Sequence, residues 1–210
     1  MNEQRILVLG PHTDDGEWGA GASIARWIRR GHQVWYAAFS AAEESVLAQF
    51  APDVLRTEII DASSELGIPQ ENLRVLQHKV RYFPRDRQDI LEEMIRLRRE
   101  IEPTLVVLPS SYDTHQDHKV ISEEGFRAFK RSSILGYEIP WNNRKIDLTY
   151  FQEVDEEDIA CKVRAIAAYK SQVFRNPLYE EFIRSLAVQR GFQVGCRYAE
   201  AYEVIRWVAH

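Results

Sequence analysis

Cysteine is scarce in this 210-residue sequence: Cys161 and Cys196 stand far apart and show no metal-type spacing. Unpaired thiols in a reducing cytoplasm are therefore expected. Long apolar runs are absent as well. None approaches the ~20 residues a membrane helix needs, and the start, MNEQRILVLG, is too sparsely apolar for a secretory signal. Positive charge is not in excess. The formal net charge is −5, and no basic stripe dominates a face, which argues against nucleic-acid binding. The locally basic RYFPRDR at 81–87 is expected to be a solvated loop before a helix, the alternative being an anion or substrate contact. Repeats, low-complexity tracts and Gly/Ser linkers are also missing. A chain of this length, 45% hydrophobic, is read as a single domain over residues 1–210.

What is present alternates. ILVLG (6–10) is a short continuous apolar run, the mark of a strand buried on both faces. A helical pattern follows over 17–30 and stops at Gly31; QVWYAAF (33–39) is a second strand. Helices are predicted at 53–66, 86–101 and 118–131, and strands at 73–77 and 104–109. Strand and helix in alternation, with connections this short, imply right-handed βαβ units. The fold class is α/β, a Rossmann-like three-layer α/β/α arrangement with a mainly parallel sheet. Strands near 134–138 and 147–152, helices near 155–170 and 178–190, and a final strand at EVIRWV read as an elaboration of the same domain.

Two strand ends carry unusual chemistry. The first strand runs into His12-Thr13-Asp14-Asp15, and TLVVLP runs into SSYDTHQDHKV, which puts His115, Asp117 and His118 near the next helix start. Ligands of open α/β sheets sit beyond the carboxyl ends of the strands, so both clusters belong to one edge. His12, Asp15, His115 and His118 are all types that bind divalent metal. A dinucleotide site would need G-x-G-x-x-G directly after the first strand. Gly10, Gly16, Gly19 and Gly21 are in the wrong register, and two carboxylates would repel a pyrophosphate.

Either cluster alone has an ordinary explanation. DD in a loop is commonly a helix N-cap with a solvated neighbour, and a lone HxxH is a weak ligand signal. Together, at two strand ends of one sheet, they point to a metal. Two histidines and one carboxylate with an open position form the pattern of a hydrolytic zinc centre. Zinc lowers the pKa of bound water to about 7 and polarises a carbonyl. One aspartate of the pair would bind the metal while the other takes the water's proton. A further histidine, oriented by Asp117, would stabilise an oxyanion or protonate a leaving amine.

These residues resemble the PIG-L/LmbE-like zinc-dependent de-N-acetylases. Pro11-His12-Thr13-Asp14-Asp15 matches that family's P/A-H-P-D-D-E loop, and His115-Gln116-Asp117-His118 its H-P-D-H motif. RTEIIDASSELGI (56–68) and KVRAIAAYKSQ (162–172) are similar to further family stretches, so the resemblance spans most of the chain. It implies that His12, Asp15 and His118 bind Zn2+, that Asp14 is the general base, and that His115 serves the oxyanion or acts as acid, held by Asp117. It places Arg56 at a position that contacts a phosphate or sugar, where the alternative is a helix surface charge. Thr13 and Gln116 replace the family's prolines, and Gly16 stands where an acidic residue is usual. Glu17 either covers part of that role or favours the helix N-terminus. These departures remove no ligand or base; they bear on loop rigidity and substrate choice.

The resemblance implies removal of acetyl from an N-acetylated amino sugar, an N-acetylglucosamine-type conjugate or nucleotide sugar. A second reading keeps the centre for another acylated small molecule, an antibiotic or thiol-cofactor precursor, with Arg56, Tyr82, Arg85 and Trp141 as its wall. A third is a silent metal- or sugar-binding module, which would have no need of Asp14. Relatives often assemble, so a homo-oligomer is expected. His32 and His78, without partners at ligand spacing, are given surface or packing roles; His210 is terminal; Glu43 and Glu44 are solvated or start a helix; Ser40 is assigned nothing.

Overall fold

A computed structural model describes residues 3–209, and its organisation follows from β1 (Arg5–Gly10). Successive strand residues point to opposite faces, and here both faces are apolar. Ile6 and Val8 enter one core with Ile24 and Trp27 of α1 (Asp15–Arg29), Ile59 of α2 (Val54–Glu65) and Ala165 of α5 (Glu156–Ala168). Leu7 and Leu9 enter another with Ile90 and Met94 of α3 (Arg87–Ile101) and Ile121 of α4 (Gln116–Ala128). Three layers result. Among the described residues no helix is long and apolar enough to cross a membrane.

β2 (Gln33–Ala38), β3 (Leu73–Val75), β4 (Leu105–Pro109) and β5 (Ser133–Tyr137) form the parallel part of the sheet with β1, in the order β3-β2-β1-β4-β5. The chain steps outward from β1 to β3, then returns to β4 on the other side of β1. That reversal leaves a crevice between the carboxyl ends of β1 and β4, where such sheets take ligands. The expected α/β class and mainly parallel sheet are what the structure has.

The C-terminal part adds β6 (Tyr150–Val154), α6 (Lys170–Val173), α7 (Tyr179–Val194) and β7 (Tyr198–Arg206). β7 is antiparallel to both β5 and β6 and closes the order as β5-β7-β6. It begins well before the expected EVIRWV segment, because buried Ala199 and Ala201 pair with β6 although alanine carries little strand signal. The expected helix near 155–170 breaks at Tyr169, which takes φ −78°, ψ 66° and turns its hydroxyl to the loop after β1. Buried polar bonds tie this region to α1. Lys162 donates to the Trp18 carbonyl (2.7 Å) and to Glu200 (2.6 Å), and Glu200 accepts from the N–H of Ser23 (2.7 Å).

Helix α1 crosses β5 at Gly19, where a Cβ would lie 2.2 Å from Tyr137 Cδ2. Tyr137 is fully buried and its hydroxyl donates to the Leu9 carbonyl (3.1 Å), so the ring has little room to give. Gly19→Ala is therefore expected to destabilise by roughly 1–3 kcal/mol, seen as a lower urea midpoint at unchanged slope.

Candidate metal centre

The loop joining β1 to α1 is aimed by its hydrogen bonds. The His12 N–H donates to Asp15 Oδ2 (2.8 Å). The Thr13 carbonyl accepts the hydroxyls of Tyr36 (2.8 Å) and Tyr169 (2.5 Å). Buried Glu17 sits between the same hydroxyls, at 2.9 and 2.7 Å. Each phenol has one proton to give, and burial raises the Glu17 carboxyl to about 8; a neutral Glu17 brings the further proton this cluster uses. The Gly16 N–H donates to Tyr36 Oη (3.1 Å), and a Cβ at Gly16 would lie 2.7 Å from Tyr36 Cζ. Two tyrosines thus do what a proline at position 13 would do, and Gly16 makes room for one of them. Gln116 is pinned as well, donating to the Arg81 carbonyl (2.7 Å).

His12, Asp15 and His118 converge. Asp15 Oδ2 lies 3.1 Å from His12 Nδ1 and 3.3 Å from His118 Nε2. One donor atom from each of the three falls within 4.8 Å of the others, which a single ion can bridge. The far nitrogen of each ring is held by a carboxylate: His12 Nε2 by Asp117 Oδ2 (3.0 Å), His118 Nδ1 by Asp113 Oδ2 (2.7 Å). Such backing carboxylates fix ring orientation and raise the basicity of metal-binding histidines. Burial disfavours charge on both rings, yet the Asp15 carboxylate and the bonds around it raise His12 to about 9 and His118 to about 10. Burial also opposes charge on Asp15, but the two rings hold its carboxyl far below the usual range. Surroundings that favour positive charge on two buried imidazoles favour a cation. The buried Asp117 Oδ1, which has no hydrogen-bond partner, adds a spare anionic oxygen beside them. This donor set fits a divalent metal.

Asp14 stands outside that set. Burial first, and the Asp15 charge second, raise its carboxyl to about 6. His115 caps α4 and accepts the Asp117 N–H at Nδ1 (3.2 Å), so the proton of the neutral ring is on Nε2. Burial and the neighbouring His118 and His12 push its pKa down. Asp117 holds His115 through its backbone, because a first-turn N–H has no partner within its helix and the N-cap side chain takes it. The Asp117 carboxylate bonds His12 and the N–H of Arg81 (2.6 Å).

The Arg56 guanidinium donates to Glu43 (2.7 Å) and to the carbonyls of Val75 (3.3 Å) and Leu76 (3.1 Å), bracing the 3-10 turn Glu43–Ser45 against the end of β3. A cleft of about 260 Å³ opens over Asp14 and Asp15, with Trp18, Trp141, Tyr169 and Arg175 among its walls. Of the four wall residues expected, Trp141 alone lines it; Arg85 pairs with Asp86 and covers Tyr82. Asp113, Tyr36, Tyr169 and Arg175 were not foreseen. Asp113 had a signal, as a third acid in the strand-four loop; the tyrosines and Arg175 come from elements remote in sequence. His32 accepts the Gln4 N–H, His78 stacks on Phe39, and His210 lies outside the described residues.

The sequence pattern of the family described as PIG-L, GlcNAc-PI de-N-acetylase, matches residues 7–129. A diacetylchitobiose deacetylase of Thermococcus kodakarensis is 24% identical over 225 residues, covering 96% of this chain and 83% of its own. The N,N'-diacetylchitobiose deacetylase of Pyrococcus horikoshii superposes with a TM-score of 0.81 at 19% identity, over 97% of this chain and 84% of that one. A 4-carboxy-2-hydroxymuconate hydratase of Pseudomonas putida KT2440 superposes at 0.74 with 19% identity, over 100% and 98% of the two chains. The architecture itself thus hosts more than one chemistry.

Asp113 backs His118 through Oδ2 and accepts the His115 N–H at Oδ1 (2.8 Å). Asp113→Asn is expected to weaken zinc binding about 10–100-fold while leaving the far-ultraviolet circular dichroism unchanged, measured by competition with a chelating dye.

Proposed function

The chain belongs to the PIG-L family of GlcNAc-PI de-N-acetylases, and from that premise we propose that it is a zinc-dependent hydrolase that removes the acetyl group from an N-acetylated amino sugar. The observation that carries this reading is the division of labour within the aspartate pair: Asp15 lies among His12 and His118, while Asp14 lines the cleft outside them. A silent binding module has no use for the second carboxylate. Two of the deacetylases similar to this chain are named for diacetylchitobiose, which supports an acetamido sugar, such as an N-acetylglucosamine conjugate or nucleotide sugar, as the substrate class.

His12, Asp15 and His118 would hold the zinc ion, which when bound would supply a water of lowered pKa and polarise the amide carbonyl. Asp14 accepts the water's proton. Burial raises its carboxyl above the usual aspartate range, which makes it a stronger base than an exposed aspartate. His115 Nε2–H donates to the carbonyl oxygen as that oxygen gains negative charge. Asp113 and Asp117 keep both ligand rings in the orientation that points their remaining nitrogens at Asp15. The proton held by Asp14 then passes to the departing amine.

Acetate release from N-acetylglucosamine and diacetylchitobiose, with and without chelator, tests the reading. Activity should vanish with the chelator and return with zinc. Asp14→Asn should keep about one zinc per chain and lose at least ~100-fold in kcat, whereas His118→Ala should lose the metal. Hydrolysis by Asp14→Asn at the parent rate would refute the base assignment.

A further inference from the structure

Next to the cleft over Asp14 and Asp15, a second depression of about 290 Å³ opens beside α7. Trp18, Trp141, Arg175 and Asn176 line both, so the two share a wall and communicate. The remainder of the second depression is Pro177, Leu178, Tyr179 and Phe182. Its walls are aromatic. The Trp141 ring lies 5.2 Å from that of Trp18, edge to face at 90°, and 5.7 Å from that of Phe182. Trp141 and Leu178 are 57% and 68% exposed. Single exposed apolar residues are ordinary. A contiguous apolar set sharing its wall with a reaction cleft marks a place where something apolar is bound.

Trp18 sets the distance between the two. It follows Asp15 within the first turn of α1, its backbone N–H donates to the Asp14 carbonyl (3.0 Å), and its side chain lines the first cleft beside Asp14. A group resting on Trp18 is therefore a close neighbour of the bond to be cut. Arg175 stands at the junction, its guanidinium donating to the Ser45 carbonyl (3.3 Å), with the cleft over Asp14 on one side and the aromatic surface on the other.

Resting on the deacetylase reading, we propose that the substrate carries an apolar substituent, aryl or alkyl, on the sugar that bears the acetamide, and that this aromatic depression is its subsite. A free amino sugar fills the first cleft and leaves the second in water. An aryl or alkyl aglycone covers Trp141, Leu178 and Phe182, and the binding so gained positions the amide over Asp14.

Two measurements on the zinc-loaded protein test this. The first is acetate release from N-acetylglucosamine and from its phenyl and hexyl β-glycosides. At least a ten-fold higher kcat/KM for a glycoside than for the free sugar is expected, with Leu178→Asn lowering the glycoside value at least five-fold more than the sugar value. The second is calorimetric titration with phenyl, hexyl and methyl β-glucosides, none of which has an acetyl group to lose. Saturable binding of the phenyl or hexyl glucoside, absent with methyl and weakened at least five-fold in Leu178→Asn, supports the subsite even if no acetate is released from any sugar. That second result would sink the deacetylase reading alone. Equal kcat/KM on all three sugars, or no binding of either apolar glucoside, overturns the subsite. A response to phenyl but not hexyl assigns a ring, and the reverse assigns a chain.

Discussion

One buried carboxylate, that of Asp15, has the rest of the site arranged around it. It accepts the backbone N–H of His12 and faces one nitrogen of His12 and one of His118. An unpaired carboxylate this deep would be strongly disfavoured. The two imidazoles offset that, and each is backed in turn by Asp117 or Asp113. Three buried acids and two histidines are stable together only while positive charge sits among them. Protonated imidazoles supply that charge, and a divalent cation among the same donors would supply it equally.

Holding such a cluster needs a loop that does not yield, and here the stiffness comes from side chains far along the chain. Tyr36 from β2 and Tyr169 from the break between α5 and α6 both donate to the Thr13 carbonyl, with neutral Glu17 between them. Asp14 and Asp15 are adjacent in sequence, yet one is raised to about 6 and the other driven far down. The difference lies in where the loop points each carboxyl: Asp15 toward two imidazoles, Asp14 toward the cleft. The proposed base and the proposed ligand are thus separated by geometry, since their chemistry is the same.

The sheet provides the place. Reversal of strand order between β1 and β4 brings residues 12–15 and 115–118 to one crevice, and α1 is bonded to β7 through Lys162 and Glu200, so the C-terminal part supports the same helix that starts at Asp15. The same architecture is found in structures named as a hydratase and as deacetylases, so the fold by itself does not choose a reaction.

How far the sequence spoke for itself follows from the range of each signal. Strands covered on both sides announce themselves as continuous apolar runs, and ILVLG and TLVVLP therefore located β1, β4 and the edge that carries the ligands. The donor residues were legible because His and Asp stood together at both strand ends. The partner of Asp117, the bracing bonds of Arg56, the tyrosine hold on Thr13 and the place of Arg175 in the cleft wall were not legible. Each of these is a contact between segments remote in sequence, and a periodicity or motif reports only on neighbours along the chain. Composition and spacing determined the sheet, its functional edge and the chemistry available there. Which carboxylate faces the two imidazoles, which lines the cleft and what walls that cleft were decided by packing, because burial and the direction of a side chain exist only once the layers have closed.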